Sequence, residues 1–322
     1  MPSKARKVAI VGVGAVGASC AYALVNQSIC DELVLIGRSA GKVHADALDL
    51  SHCMDFTHNR TKVVTGTYAD CRDADIVVLS AGVVMIPGGT RLDLAASSLE
   101  IYREIVPQIV DAGFEGVFLV AANPVDVVTG IVLQLSGFPR SRVIGTGTSI
   151  DSARLKTLLA EHLPVDPRSI NGFVLGEHGD SQFPAWSHVT IGGKPIRDIL
   201  AQHSERFDRL DLDEIALQTR NTGWQILQAK GATTYGIASA LAAIVRSILN
   251  NDHRIFAVSA YLEGEYGQSG LCAGVPAILT REGMTEIVEL NLTPDEHRRF
   301  AESCGVIRGA MEALGLEPIA HL

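Results

Sequence analysis

The sequence predicts an α/β fold in which a doubly wound parallel sheet is followed by a mixed α+β domain. In the first half, short runs rich in valine and isoleucine alternate with helical patterns, as in parallel strands joined by crossover helices. These runs are KVAIVG, ELVLIG, KVVTGT, DIVVLSAG, GVFLVAANP and RVIGTG. The alternation ends near residue 148, so we expect one domain at 1–147 and a second at 148–322.

The second half mixes helices with strands. SIDSARLKTLLAEHL predicts a long helix, and the segments from FVLGEHG to HVTIGGKPI predict strands and turns. Two long helical patterns lie near 211–230 and 232–249, and strand patterns occupy RIFAVSAYLEG and the stretch up to IVELNL. The last helix is expected to begin after Thr293, because Thr293 and Glu296 match a capping box and Pro294 suits the first helical position.

Composition and charge exclude several classes of protein. The chain has 322 residues, 47% of them hydrophobic and 20% charged, and a net charge of −9 without a dense Lys/Arg stripe, which argues against a nucleic-acid surface. No apolar run is long enough for a transmembrane helix, and the N-terminus does not match a signal peptide. The six cysteines lack CxxC spacing, so we expect a reduced, cytoplasmic protein without disulfides or a metal site.

A glycine motif follows the first predicted strand. VAIVGVGAVGASCAYAL contains Gly12-x-Gly14-x-x-Gly17 between a strand and a helix. Gly12 allows a tight turn, Gly14 lets a pyrophosphate approach, and Gly17 lets the helix pack against the strand. The N-terminus of the helix then offers N–H groups to the phosphates. We interpret residues 1–147 as a Rossmann-type dinucleotide-binding domain rather than reading the motif as a structural turn.

The residues after the second predicted strand bear on the choice of dinucleotide. An acidic residue usually stands there and binds the ribose 2′-hydroxyl of NAD. This chain instead has Gly37-Arg38-Ser39. A guanidinium and a hydroxyl can receive a 2′-phosphate, so the sequence favours NADP over NAD. The alternative is that Arg38 is a solvated surface residue and that NAD binds, only less tightly.

Seven motifs spread along almost the whole chain form a specific combination. They are GVGAVG, AGVVMIPGGTRLDL, AANPVD, GTGTSIDSARL, GEHGDSQFPAWS, KGATTYG and GVPAILTREG. On these motifs the chain resembles the L-lactate/malate dehydrogenase family, on its lactate and L-2-hydroxyisocaproate dehydrogenase side. The resemblance implies hydride transfer between a nicotinamide and C2 of a small 2-oxo acid, with 148–322 as the substrate-binding catalytic domain. It also implies a homodimer or homotetramer.

Three residues match the catalytic centre of that family. His178 in GEHGDS matches the acid/base, which suits a reaction that delivers a proton to oxygen as hydride reaches carbon. Asp151 in SIDSAR matches its carboxylate partner, which would hold one ring nitrogen and favour the imidazolium. Arg154 lies on the same helix face as Asp151 and can bind a substrate carboxylate bidentately. Taken alone, an Asp-x-x-Arg pair is more often a surface ion pair.

Other matched residues lie in loops. Arg91 in GGTRLDL matches a mobile-loop arginine that polarises the carbonyl, and Gly88 and Gly89 would give that loop freedom to close. Asn123 in AANPVD matches a substrate-binding asparagine and is also expected to contact the cofactor; the alternative is an ordinary Asn-Pro turn. Thr233 in KGATTYG aligns with a wall of the substrate pocket.

Met85 occupies the position that contacts the substrate side chain in this family. Malate dehydrogenases have an arginine there and most lactate dehydrogenases a glutamine, so Met85 disfavours oxaloacetate, whose second carboxylate would lack a partner. A flexible methionine predicts larger apolar 2-oxo acids, such as 2-oxoisocaproate or phenylpyruvate. The alternative is that Met85 only shields the closed loop of an ordinary L-lactate dehydrogenase acting on pyruvate.

Two further comparisons concern regulation and class. Activated bacterial members have an arginine and a histidine in a sugar-bisphosphate site where this chain has Lys156 and Asn171, which argues against allosteric activation. A dinucleotide-binding protein without turnover is an alternative of a different class. It would need no catalytic set, whereas this chain has one.

Overall fold

The computed structural model describes residues 5–58, 60–83, 91–208 and 210–316, with only the backbone described for Arg91 and Leu92. Six parallel strands in the order β3-β2-β1-β4-β5-β6 form the centre of the sheet. Their bounds are β1 Lys7–Val11, β2 Glu32–Ile36, β3 Lys62–Thr65, β4 Ile76–Leu79, β5 Val117–Val120 and β6 Val143–Gly145. This strand order is that of a Rossmann fold and confirms the predicted fold class.

Four helices cover the parallel strands. They are α1 Ala15–Asn26, α2 Ala40–His52, α3 Arg91–Asp111 and α4 Val125–Ser136. Because both faces of the sheet are covered, strands β1, β4 and β5 are buried along their whole length, which explains their unbroken apolar runs. The carboxyl ends of parallel strands lie at one edge, so the loops after β1, β2, β4 and β5 meet there.

The second half contributes five helices and eight strands to the described structure. The helices are α5 Ser149–His162, α6 Ile196–Gln202, α7 Leu212–Lys230, α8 Tyr235–Asn250 and α9 Pro294–Ala313. The strands are β7 Ile170–Asn171, β8 Val174–Leu175, β9 Phe183–Pro184, β10 Thr190–Ile191, β11 Lys194–Pro195, β12 Arg254–Glu263, β13 Ser269–Thr280 and β14 Gly283–Ile287. These elements follow the pattern expected from the sequence.

The sheet continues across the expected domain boundary. Strand β13 pairs antiparallel with both β12 and β14, and β12 joins β6 where Ser259 lies opposite Gly145. A Cβ atom on residue 145 would lie 2.9 Å from the Ser259 Cβ and 2.3 Å from the Thr129 Oγ1. The missing side chain of Gly145 therefore lets β12 approach β6, and one nine-stranded sheet results.

A second, smaller core lies outside the sheet. It contains Leu155 and Leu159 of α5, Ile170 of β7, Trp186 and Ile215 of α7, all of them buried. Burial of large apolar side chains of this kind stabilises a fold by roughly 1.5–3 kcal/mol each. This core packs against one face of α5, the helix that bears Asp151 and Arg154, and α5 also contacts β8 and β12.

The capping box at the start of α9 is confirmed. The Thr293 Oγ1 accepts a hydrogen bond from the Glu296 N–H at 3.3 Å, and the Glu296 Oε2 accepts one from the Thr293 N–H at 3.0 Å. Glu296 also accepts hydrogen bonds from the backbone N–H and the hydroxyl of Ser187, at 3.0 and 2.5 Å. The same carboxylate therefore caps the helix and ties it to the smaller core.

Two general properties complete the fold. Within the described residues, none of the helices combines the length and the hydropathy that a membrane crossing requires. All six cysteines are free thiols, and five of them are buried.

We expect Glu296→Ala to lower the free energy of unfolding by about 2–4 kcal/mol, because it removes a cap and leaves buried donors without an acceptor. Urea unfolding measures the change. Glu302→Ala on the same helix is the matched control, because Glu302 is exposed and pairs with Arg298 at the surface, where an ion pair contributes little. Equal losses in the two variants would contradict the structural role given to Glu296.

Candidate active site

The predicted glycine motif forms a tight turn between β1 and α1. Gly12 has a φ of +99°, and a Cβ there would lie 2.3 Å from the Ala81 nitrogen. A Cβ on Gly17 would lie 2.1 Å from the Gly12 carbonyl oxygen, whereas one on Gly14 would meet nothing within 4 Å. Gly12 and Gly17 are therefore needed by the fold itself, and Gly14 leaves open space in front of the helix.

This open space suits an anionic group. Gly14 is the residue before α1, and no acidic residue lies in the first turn of the helix. The N–H groups at a helix N-terminus and the positive end of its dipole favour phosphate. The turn thus fits the pyrophosphate of a dinucleotide, which Gly12, Gly14 and Gly17 would hold as the sequence predicts.

Gly37, Arg38 and Ser39 follow β2 at the same edge of the sheet, and all three are exposed. A Cβ on Gly37 would lie 2.9 Å from the Val43 Cγ2, so the α2 side chain of Val43 already occupies the space beside it. Lys42 of α2 donates a hydrogen bond to the Val13 carbonyl at 2.9 Å. The cationic side chain of Lys42 is therefore bonded to the turn itself.

The centre of the candidate active site is a hydrogen-bonded pair between Asp151 and His178. The Asp151 Oδ2 lies 2.6 Å from the His178 Nδ1, and Asp151 is fully buried. With Nδ1 held by the carboxylate, Nε2 is the nitrogen available to a reacting group. The structure thus brings together two residues that are 27 positions apart in the chain, as predicted.

Charge interactions raise the pKa of His178. Burial by itself lowers the pKa of His178, but the charge of Asp151, its hydrogen bond and the charge of Asp126 together outweigh burial and the repulsion of Arg154. Burial raises the pKa of Asp151, and His178 and Arg154 reverse this and lower it below its ordinary value. The pair therefore favours an aspartate and an imidazolium, which is the form that can donate a proton.

Arg154 completes the constellation. Its Nη1 donates to the Asp151 Oδ1 at 2.9 Å, and its side chain is 11% exposed. Asp151 thus contacts His178 with one oxygen and Arg154 with the other. A guanidinium has five N–H donors in a planar fork, and the contact with Asp151 uses one of them.

Side-chain-to-backbone hydrogen bonds connect α5 to β8, the strand that precedes the histidine loop. The Thr148 hydroxyl donates to the Val174 carbonyl at 2.6 Å, and the Val174 N–H donates to the Ser152 Oγ at 3.0 Å. Val174 belongs to β8, which leads directly to His178. Asp151 and His178 are therefore positioned by their backbones as well as by their own hydrogen bond.

Other predicted residues lie as follows. Asn123 is exposed three residues after the end of β5, and the Ser98 hydroxyl donates to its carbonyl at 3.1 Å. Thr233 is half-buried in the loop between α7 and α8. Met85 lies outside the described residues together with the two loop glycines, and Arg91 is the first residue of α3 with its side chain outside them too. The predicted roles of Met85 and Arg91 stay predictions.

Lys156 lies on α5 and Asn171 on β7. The Lys156 Nζ is 5.8 Å from the centre of the Phe173 ring, and Asn171 is exposed on β7. Burial, followed by the nearby charge of Arg254, lowers the pKa of Lys156. The expectation about allosteric activation stays a prediction.

Two residues near the centre had no predicted role. Gly223 of α7 faces Arg154, and a Cβ there would lie 3.0 Å from the Arg154 Nη1. Asp126 of α4 accepts a hydrogen bond from the His178 backbone N–H at 2.8 Å. The Asp in AANPVD was visible in the sequence, but its spacing from His178 offers no signal of contact.

Comparison with known proteins identifies the family. Residues 6–145 match the model of the lactate/malate dehydrogenase NAD binding domain, and residues 148–314 match that of the lactate/malate dehydrogenase alpha/beta C-terminal domain. L-lactate dehydrogenase 3 of Bacillus thuringiensis subsp. konkukian is 56% identical over 315 residues, which cover 98% of this chain and 100% of the relative. L-lactate dehydrogenase 2 of Bacillus cereus is 47% identical over 305 residues, covering 95% and 97%.

Solved structures agree with these relatives. The minor L-lactate dehydrogenase from Enterococcus mundtii in its ligands-bound form superposes with a TM-score of 0.93 at 45% identity, covering 97% of this chain and 99% of that one. A lactate dehydrogenase enzyme from a Medee basin deep-sea metagenome library has a TM-score of 0.93 at 38% identity, covering 96% and 99%.

We expect Gly14→Ala and Gly17→Ala to separate binding from folding. The Cβ added by Gly14→Ala projects into open space, so stability is retained while dinucleotide affinity falls about tenfold or more. The Cβ added by Gly17→Ala meets a backbone carbonyl, so stability falls by roughly 1–3 kcal/mol. Thermal unfolding and calorimetric titration with NADH measure the two effects. Unchanged NADH affinity in Gly14→Ala would contradict the placement of the pyrophosphate.

Proposed function

The chain belongs to the lactate/malate dehydrogenase family, and from this membership we propose that it is an NAD-dependent L-lactate dehydrogenase, which interconverts pyruvate and L-lactate. The observation that supports the proposal most directly is the buried Asp151, which bonds both His178 and Arg154. In this proposal His178 is the proton donor and Arg154 the cation that binds the carboxylate of one small 2-oxo acid.

The chemistry follows from the roles that these side chains can take. The reduced nicotinamide, when bound, supplies the hydride for C2 of the substrate. His178 donates its Nε2 proton to the carbonyl oxygen as the alcohol forms, and Asp151 keeps the ring oriented through Nδ1. In the reverse direction His178 accepts the same proton. The raised pKa of His178 therefore favours the reduction of pyruvate near neutral pH.

Arg154 orients the substrate. Its planar guanidinium can hold the carboxylate of pyruvate through two parallel N–H bonds, which fixes the direction of the neighbouring carbonyl. Because Gly223 has no side chain, the Arg154 guanidinium lies against the backbone of α7. In the proposed mechanism Asn123 contacts substrate and cofactor, and Arg91 polarises the carbonyl when its loop closes.

The preferred side chain of the substrate is a finer question. Because the relatives are named L-lactate dehydrogenase, we propose pyruvate as the preferred substrate, ahead of the larger apolar 2-oxo acids that Met85 predicts. The preference for 2-oxoisocaproate or phenylpyruvate stays a prediction, since Met85 lies outside the described residues.

The cofactor proposed is NAD, in keeping with the family model for residues 6–145. The NADP preference expected from Gly37-Arg38-Ser39 lacks support from the comparisons. Arg38 is exposed after β2, so we propose that it lets the protein use some NADPH but does not make NADPH the preferred cofactor.

We also propose a domain boundary, an oligomeric state and a location. The boundary between domains is placed between residues 147 and 148, which agrees with the gap between the two family matches. A homodimer or homotetramer follows from family membership. A cytoplasmic location agrees with six free cysteines.

We expect NADH oxidation with pyruvate, and His178→Asn is expected to lower kcat/KM by about a thousandfold while NADH still binds.

The wild-type rate of reduction is expected to fall as pH rises through the raised pKa of His178, because the imidazolium is the donor. A panel of pyruvate, 2-oxoisocaproate, phenylpyruvate and oxaloacetate ranks the substrates.

Each result of that panel has a defined meaning. The highest kcat/KM on pyruvate supports a lactate dehydrogenase, and the highest on 2-oxoisocaproate restores the role predicted for Met85. NADH binding without turnover on any member would overturn the enzymatic proposal in favour of a dinucleotide-binding protein.

We expect Arg38→Ala to lower kcat/KM for NADPH about tenfold or more and to change kcat/KM for NADH little, because the guanidinium meets a 2′-phosphate but is not required by a 2′-hydroxyl. Initial rates with both cofactors at saturating pyruvate test this. Lys62→Ala on the neighbouring strand β3 is the control for a general change in surface charge. Equal losses with NADPH and NADH would reject the assignment of Arg38 to the 2′-phosphate position.

A further inference from the structure

A second buried carboxylate, that of Asp126, is hydrogen-bonded to the backbone of His178. Asp126, in the first turn of α4, is 2% exposed. Its Oδ2 accepts the His178 backbone N–H at 2.8 Å, and its Oδ1 accepts the Ser259 hydroxyl at 2.6 Å. Asp126 therefore contacts the backbone of the histidine, whereas Asp151 contacts the ring.

Hydrogen bonding alone does not account for a carboxylate at this position. An asparagine has the same shape, its Oδ1 can accept the His178 N–H, and its amide can donate to the Ser259 oxygen. An ionised group is costly to bury, and burial raises the pKa of Asp126 to about 6 although Ser259 and His178 lower it by their hydrogen bonds. The negative charge must therefore be useful to a neighbour.

The groups that face Asp126 identify that neighbour. Glu177 and His178 lie in the loop after β8, Cys272 faces it from β13 and Cys304 from α9. Burial first, and then the charge of Asp126, raise the pKa values of both thiols, that of Cys304 to about 12. Of these groups, His178 is the one that can bear a positive charge.

We propose that Asp126 is a positioning residue that holds the backbone of His178 and whose negative charge stabilises the imidazolium. The inference rests on the proposed function, because it assigns His178 as the proton donor. Two carboxylates then share the task. Asp151 orients the ring, and Asp126 contributes charge and connects His178 to α4, three residues after Asn123.

Asp126 also connects the histidine loop to both the parallel and the antiparallel part of the sheet. Asn123, three residues after the end of β5, and Asp126, in the first turn of α4, lie on the same short segment, and Ser259 ties Asp126 to β12. The parallel sheet and the antiparallel strands thus both hold the histidine loop through this one side chain.

Asp126→Asn tests the charge separately from the shape. The His178 C2–H resonance, assigned by its absence in His178→Asn, is titrated by NMR in the wild type and the variant. We expect the midpoint to fall by about one pH unit, and the alkaline limb of kcat/KM for pyruvate to move down with it. Glu302→Gln is the control, because it removes one carboxylate charge from the exposed surface of α9, and the His178 midpoint is expected to stay in place.

The outcomes separate the inference from the proposed function. An unmoved midpoint in a folded Asp126→Asn variant, with turnover lowered equally at every pH, would show a structural role and overturn the inference. Absent turnover in the wild type would reject the proposed function, yet the NMR midpoint would still test Asp126. If Asp126→Asn does not fold, Ser259→Ala weakens the charged form of Asp126, and a smaller downward shift is expected. No shift in that variant would also overturn the inference.

Discussion

The fully buried carboxylate of Asp151 is the constraint on which the rest of the site depends. A buried charge is unfavourable unless it is paired and hydrogen-bonded, and Asp151 satisfies this with His178 at 2.6 Å and Arg154 at 2.9 Å. Its removal would leave the Arg154 guanidinium without its carboxylate partner and would lower the pKa of His178. The proposed acid/base group His178 and the proposed substrate-binding group Arg154 are therefore linked through a single side chain.

The fold maintains this constraint by holding two segments at a fixed distance. The smaller core packs α5 from outside, and the hydrogen bonds of Thr148 and Ser152 to Val174 clamp α5 to β8. The isolated bridge between Gly176 and Gly274 then attaches the start of the histidine loop to β13. Rigid elements thus surround a reacting group that has to be placed within a few tenths of an ångström.

Much of this arrangement could be predicted from local patterns. The valine- and isoleucine-rich runs, the glycine turn and the Thr293 capping box depend on neighbours within a few residues, and the structure confirms them. Asp151 and Arg154 lie three residues apart on one helix, so their pairing also follows from helical geometry. The pairing of Asp151 with His178 was inferred from the family resemblance of their motifs, because no spacing rule relates residues 27 positions apart.

The fold class, the glycine turn and the residue types of the proposed site can be inferred from the amino-acid sequence, since these depend on periodicity, on backbone freedom and on side-chain chemistry. Long-range packing determines that β12 joins β6, that Gly223 lies against Arg154, and that Asp126 bonds both His178 and Ser259. Asp126 and Ser259 are 133 residues apart. Contacts of this kind depend on how distant segments pack, and an aspartate beside a proline turn has the same local pattern whether it is exposed or buried under a histidine.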